Sequence, residues 1–371
     1  MKIAVLGAGM VGRAIALDLA KDYQVSSFDK NLSNLEILSA FNNNIRLTQV
    51  DLSAFSNYAE WLRDFDVVVT AVPGFMGYST LEAVINSGKN VVDISFFPEN
   101  ALELNQLAIQ NNCTVITDCG VAPGMSNFII GRYNSEMEIT SIDCYVGGLP
   151  QNRIPPFEYK APFSPVDVIQ EYIRPARLKE NGTIVTKPAM SEIERLTFDG
   201  IGTLEAFNTD GLRTLLFTMP HIPDMKEKTL RYPGHAKLIT DLQAAGFFRN
   251  NPISVKGQSV IPLDFTSQLL IDQWKLHPGE EELTVMRVTL RGRTGIIEYN
   301  LLDHYDTTTG LSSMARTTGF TCTAAVNLIT KKMFTKKGIF PPELIGNDQQ
   351  CFDFVIRYLK DRGVNWKRTI Q

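Results

Sequence analysis

Three glycines near the N-terminus, Gly7, Gly9 and Gly12, stand in the spacing G-x-G-x-x-G. They follow an apolar run at residues 2–6 and precede a helix-forming stretch at residues 13–20. Strand, tight turn and helix in that order are the setting of a dinucleotide-binding fingerprint. Gly7 permits the sharp turn. Gly9 lets the backbone approach a pyrophosphate, and Gly12 lets the helix pack close to the strand. The helix N-terminus offers its free N–H groups to the anion. Ala8, Met10 and Val11 complete the expected phosphate cradle. Asp29 ends the next apolar run about twenty residues on, where an acidic side chain accepts hydrogen bonds from ribose hydroxyls. Its charge repels a 2′-phosphate, so NAD is the expected cofactor, and Lys30 beside it softens that preference.

Further candidates sit where strands are expected to end. Asp51, Ala71, Val72, Pro73, Asp93, Asp118 and Gly120 close strands or open the loops after them, and ligands of doubly wound sheets bind at those carboxyl ends. Asp93 and Asp118 can each accept a proton or hold a substrate ammonium; capping of the next turn is the competing role. The loop at residues 118–127 combines two glycines, a proline and polar groups. It is read both as a crossing point beside the nicotinamide and as a hinge between domains. Cys119 has no histidine near it in sequence, which makes it a packed thiol rather than a nucleophile. Farther on, Tyr159, Lys160, Arg174, Arg213 and Arg231 lie beside glycine or proline breaks. An arginine there can grip an α-carboxylate bidentately, although a single arginine is more often a surface charge. His235 follows Pro233 and Gly234. It is the best-placed histidine for proton transfer, or equally the first residue of a helix without chemical duty.

These residues need a scaffold. The first third alternates strands (46–50, 66–71, 90–94, 113–117) with helices (55–64, 79–87, 101–111), which implies a doubly wound parallel sheet. Strands are then expected at 141–146, 157–159, 195–198, 284–290 and 295–302, the last two as a hairpin. Helices are expected at 165–172, 210–217, 236–245 and 262–274. Strands in succession predict a second α+β domain with a mainly antiparallel sheet, whose open face is expected to pair subunits into a homodimer or larger homo-oligomer. The helical stretch 311–330 breaks with its neighbours and is expected to return to the first domain, with a surface helix at 348–360. The expected division is 1–127 plus 311–371 for the dinucleotide-binding domain and 128–310 for the substrate-binding and dimerisation domain.

The chain has 371 residues, 44% of them hydrophobic and 20% charged, with a net charge of −4. That balance is ordinary for an enzyme and argues against nucleic acid or an anionic membrane as the main partner. The five cysteines and four histidines are scattered. No metal site and a reducing, cytoplasmic setting are therefore expected.

Several stretches resemble the saccharopine dehydrogenase superfamily, and within it the lysine 6-dehydrogenases most. They are residues 7–12, 118–127, 147–150, 157–182, 205–213 and 228–235, spread over both expected domains. The segments 118–127 and 228–235 are far more specific than the glycine motif. The resemblance implies NAD-linked oxidation of an amino-acid C–N bond. For lysine, the ε-amine becomes an imine, water releases ammonia, and the semialdehyde cyclises. The resemblance implies that fungal-type saccharopine reductases usually carry Asp-Pro-Gly where this sequence has Ala122, Pro123 and Gly124, which lowers saccharopine as substrate. Saccharopine and carboxynorspermidine dehydrogenases, and a non-catalytic NAD-binding regulator, are the alternatives.

Overall fold

A computed structural model describes residues 1–370. Strands β1 (Lys2–Leu6), β2 (Gln24–Asp29), β3 (Arg46–Gln49), β4 (Val67–Thr70), β5 (Asn90–Asp93) and β6 (Thr114–Ile116) form a parallel sheet in the order 3-2-1-4-5-6. β4 reads Val-Val-Val-Thr and is buried along its whole length. A parallel strand covered on both faces requires such a run. A Cβ on Gly7, whose φ is +108°, would stand 2.2 Å from the Ala71 carbonyl oxygen, and one on Gly12 would stand 2.1 Å from that of Gly7. Those two absences of a side chain bring helix Met10–Leu19 close to the sheet.

The second sheet uses β7 (Ile139–Pro150), β8 (Ala176–Glu180), β9 (Thr183–Lys187), β10 (Glu194–Phe198), β11 (Gly202–Asn208) and β12 (Asp224–Arg231). A small separate hairpin, β13 (Ile253–Val255) and β14 (Gln258–Val260), precedes β15 (Glu282–Gly292) and β16 (Gly295–His304). The pairing is antiparallel except between β7 and β12. The predicted mainly antiparallel sheet is therefore present, with one parallel pair at its centre. Helices Pro165–Ile173, His235–Ala244 and Pro262–Trp274 pack around Tyr172, Phe207 and Trp274.

Local expectations fail where polarity misleads. Residues 157–159 are loop rather than strand. The helix expected at 210–217 shrinks to Leu215–Thr218. β12 reads Asp-Met-Lys-Glu-Lys-Thr-Leu-Arg and is not among the expected strands, yet it is central and buried. Its charges are paired inside: Lys228 Nζ reaches the Glu192 carbonyl at 2.6 Å and Glu194 at 2.9 Å.

Helix Ser313–Thr330 packs on helix Met10–Leu19, where Thr323 donates to Asp18 at 2.7 Å. β17 (Gly338–Ile339) then extends the first sheet beside β6, while β18 (Trp366–Ile370) pairs with β16 in the second. The end of the expected 311–371 return thus belongs to the other sheet. The backbone passes between the two sheets three times, near residues 134–139, 304–313 and 360–366. These passages are neighbours: Arg368 donates to the Tyr133 hydroxyl at 3.0 Å and Arg316 to the Arg362 carbonyl at 3.2 Å.

Asp18 secures the returning helix. Its carboxylate also accepts from Tyr358 at 2.7 Å and from Arg362 Nε at 2.8 Å. Burial alone would raise this carboxyl; the bonds from Arg362, Thr323 and Tyr358 outweigh it and hold it below the usual carboxylate range. A depressed folded pKa gives stability that is present above the unfolded pKa and lost as pH falls through the folded one. Asp18→Ala should lower the unfolding free energy at neutral pH by about 3–5 kcal/mol, as expected for breaking a buried pair. Urea denaturation should show that deficit narrowing as pH drops below about 3.9.

Candidate active site

A cleft of about 1310 Å³ lies between the two sheets. At one end its wall includes Gly7, Gly9, Met10, Val11, Gly12, Asp29, Lys30, Asp51, Ala71, Val72, Pro73 and Gly120. Ala8 is a correction: it is fully buried, and its N–H donates to Asp29 Oδ2 at 2.8 Å. Gly9 caps helix Met10–Leu19 without a side-chain bond, and a Cβ there would meet nothing within 4 Å. An open space thus faces an uncapped helix N-terminus. Asp29 also accepts from Asn31 N–H at 2.8 Å and Asn34 Nδ2 at 3.2 Å. A carboxylate offers roughly four acceptor sites, so three donors leave room for a ribose hydroxyl. These residues fit an adenine dinucleotide.

The loop after β6 is a fixed corner. Gly120 N–H donates to the Pro123 carbonyl and Met125 N–H to that of Gly120, both at 2.9 Å. Gly124 has φ +140°, and a Cβ there would stand 1.8 Å from the Gly120 oxygen. Asn127 donates to Glu343 Oε2 at 2.9 Å, and Glu343 Oε1 accepts from Thr218 at 2.6 Å. At the head of this corner Asp118 lines the cleft. Its Oδ1 accepts from Arg213 Nε at 2.7 Å, while its buried Oδ2 has no partner.

Two second-sheet elements build the facing wall. Helix Pro165–Ile173 begins with Ser164 as cap and Pro165 in its first turn. Asp167 and Glu171 lie one turn apart on one helical face, and both line the cleft. Asp167 also accepts the Gly74 N–H from the first sheet's side at 3.3 Å. On β12, Glu227, Thr229 and Arg231 alternate onto one face, as strand residues i, i+2 and i+4 do, and all three line the cleft. Thr209 donates to Glu227 Oε2 at 2.8 Å. Burial pushes Glu171 up to about 7 and Glu227 up to about 8, and raises Asp167.

Of the predicted substrate groups, Arg231 alone reaches the cleft. Tyr159 lies behind it, its ring 4.3 Å from the guanidinium carbon and its hydroxyl 3.2 Å from Nη2. Lys160 is not on the wall itself but reaches two residues that are, Glu280 at 3.6 Å and the Lys275 carbonyl. Arg174 sits over the Phe96 ring at 5.6 Å. Arg213 is buried beneath the cleft between Asp118, the Phe97 carbonyl and the rings of Phe96 and Phe97. Of the predicted acid–base groups, Asp118 is on the wall. Asp93 is fully buried below it, accepting from Thr70 at 2.6 Å and Ser95 N–H at 3.2 Å. Burial pushes Asp93 up to about 7. His235 is also out of the cleft. Its Nδ1 meets the Phe157 carbonyl at 2.9 Å, and its Nε2 meets the Tyr172 hydroxyl at 3.0 Å. Tyr172 in turn accepts from Arg231 Nε at 2.8 Å. That order makes His235 Nδ1–H the donor and Nε2 the acceptor. Cys119 is buried, and its thiol is pushed up by burial. Among the described residues no cluster of three His, Cys, Asp or Glu side groups is placed to hold a metal.

Asp167, Glu171 and Glu227 are site residues that the sequence conceals. Acidic residues in a helix's first turns and on a polar strand read as solvated charges, and only the packing turns them inward. Residues 3–116 match the family model described as the saccharopine dehydrogenase NADP binding domain, and residues 120–364 that of the saccharopine dehydrogenase C-terminal domain. The protein belongs to the saccharopine dehydrogenase family. The NADP-dependent, L-glutamate-forming saccharopine dehydrogenase of Schizosaccharomyces pombe is 20% identical, over 99% of this sequence and 98% of that protein. Carboxyaminopropylagmatine dehydrogenase of Synechocystis is 20% identical over 100% and 98%. Mitochondrial alpha-aminoadipic semialdehyde synthase of Bos taurus is 23% identical over 75% of this sequence and 38% of that protein. The protein spans less than half the length of the mammalian relatives it matches. Apo saccharopine dehydrogenase (L-Glu forming) from Saccharomyces cerevisiae shares the fold, with a TM-score of 0.80 at 19% identity over 100% of this protein and 99% of that one. No described helix is long and apolar enough to cross a membrane.

Burial, then the nearby Arg231 charge, push His235 down to about 3. Its ring signals in a pH-resolved NMR series should therefore stay constant from pH 8 to pH 5. A transition near its ordinary value of about 6.5 would contradict the buried neutral form.

Proposed function

We propose that this protein is a nicotinamide-linked oxidoreductase that acts on a C–N bond in the side group of a basic amino acid, with L-lysine as the leading substrate. The observation that carries this reading is the charge of the cleft. Asp118, Asp167, Glu171 and Glu227 line it together, while Arg231 is the one predicted carboxylate-binding arginine on its wall. Such a wall suits one carboxylate and a cationic amine better than a substrate with three carboxylates. A bound nicotinamide dinucleotide would supply the hydride acceptor or donor. The protein's own task is to present a neutral amine, because an ammonium has no lone pair to assist loss of hydride from the adjacent carbon. Asp118 offers that amine an unpaired oxygen at the corner between the cofactor end and the acidic wall. Its other oxygen, tied to Arg213, holds the carboxylate in place.

A second reading follows from full-length similarity to enzymes named for secondary amines. Saccharopine or a carboxyaminopropyl amine would then replace lysine at the same wall. A substrate panel of L-lysine, saccharopine and a carboxyaminopropyl diamine, followed by reduced-nicotinamide absorbance, separates the readings. Turnover of L-lysine with ammonia release supports the first. Turnover of a secondary amine alone supports the second. Cofactor binding with no turnover would leave the regulator alternative.

NAD preference is part of the proposal, because Asp29 occupies the ribose end of the cleft. The competing case for NADP is the matched domain's description together with Arg13, Lys30 and Ser33 on the same stretch of wall. The ratio of kcat/KM values for the two cofactors should favour NAD, and Asp29→Ala should move it toward NADP. A wild-type ratio favouring NADP overturns the assignment.

A further inference from the structure

A carboxyl and a guanidinium face the cleft side by side without closing on each other. Glu171 Oε2 lies 3.9 Å from Arg231 Nη2, beyond hydrogen-bond distance. Arg231 is held in place: Nε donates to Tyr172 at 2.8 Å, Nη1 to the Leu230 carbonyl at 2.9 Å and Nη2 to Tyr159 at 3.2 Å. Three of its five N–H donors are used, and two remain for a ligand. Glu227 stands two alternations back along the same strand face. It is kept there by Thr209 and by the bare backbone of Gly211, where a Cβ would come within 2.3 Å of Glu227 Oε2. A guanidinium with spare donors beside the Glu171 carboxyl, with Glu227 farther down the same wall, is the complement of a carboxylate next to an ammonium.

We propose that Arg231, Glu171 and Glu227 form a clamp for the α-carboxylate and α-ammonium of the substrate head group, so that the nitrogen at its far end is directed to Asp118. The proposal rests on the reaction read above and adds the orientation of the substrate and the residues that select it. A second, separate observation marks the far end of the same cleft. The Asp118 side group is 1% exposed, and its Oδ2 has no partner, so the protein leaves an acceptor unmet where the reacting nitrogen would arrive. The buried state of the wall fits a cationic ligand. Burial raises both glutamates, and Glu171 further raises Glu227. An arriving ammonium restores their charge, and protons leave as it binds.

Isothermal calorimetry of the protein loaded with NADH, which cannot accept hydride from the probe, at pH 7 in two buffers of different ionisation enthalpy, tests the clamp with three probes. They are L-lysine, 6-aminohexanoate (no α-ammonium) and cadaverine (no carboxylate). L-Lysine should bind at least about ten-fold tighter than either analogue, the scale of one charge-assisted contact, and its heat should report proton release. Glu171→Gln should bring lysine down toward 6-aminohexanoate, reduce the proton release and leave 6-aminohexanoate binding unchanged. Glu227→Gln, a second variant of conserved shape, should do the same in part. Equal binding of lysine and 6-aminohexanoate by the wild type, or no binding of either, overturns the clamp. So does an unaltered preference in both variants. The reaction reading is judged separately by turnover. Amine oxidation without a head-group preference refutes the clamp alone, and a head-group preference without any turnover refutes the reaction alone.

Discussion

The ion pair between Asp118 and Arg213 joins the two halves of the molecule beneath the cleft wall. Asp118 heads the corner after the last strand of the 3-2-1-4-5-6 order, and Arg213 comes from the segment between β11 and β12. Their side groups are 1% and 4% exposed. Two charges so far out of water are costly to separate, since losing either partner leaves the other buried and unmatched, at about 3–5 kcal/mol. The same guanidinium binds the Phe97 carbonyl and lies over two phenylalanine rings. One arginine of the second sheet's region therefore fixes three features of the first. The placement of the acidic wall opposite the glycine turn depends on that anchor.

Around this anchor the site separates charge that binds from charge that supports. Arg231 takes its orientation from Tyr172, and Tyr172 takes its hydroxyl direction from a neutral His235. A histidine that does not titrate in the working range keeps that relay constant, so the guanidinium is held by geometry rather than by a proton that comes and goes. The carboxylates behave in the opposite way. Glu171 and Glu227 are the groups near neutrality, and a buried acid of that kind responds to whatever cation stands before it.

Much of the first sheet is legible in the sequence because its signals are local. Glycine spacing, short β-branched runs and Asp29 at a strand end each follow from backbone sterics or burial, and twelve of the thirteen expected cofactor residues line the cleft. The exception, Ala8, contributes its N–H instead of its surface. The substrate side is less legible because its signals are not local. Arg174, Arg213 and Arg231 look alike beside their loop breaks, and only the positions of Phe96, Asp118 and Tyr159 sort them into stacked, paired and cleft-facing groups. Glu227 is hidden inside Asp-Met-Lys-Glu-Lys-Thr-Leu-Arg, a run whose charges find partners within the fold. Its strand identity is set by pairing with β7 and β11 rather than by any apolar alternation.

The three neighbouring passages of backbone between the sheets also govern how the molecule can breathe. Connections gathered along one side act as a pivot line. They restrain sliding of one half over the other and permit rotation about themselves. The bond from Gly74 N–H to Asp167 joins the halves across the cleft, where such a rotation would have its longer lever arm. A rotation about that line would carry helix Pro165–Ile173 with the second sheet, so that Asp167 and Glu171 would change their distance from the glycine turn together.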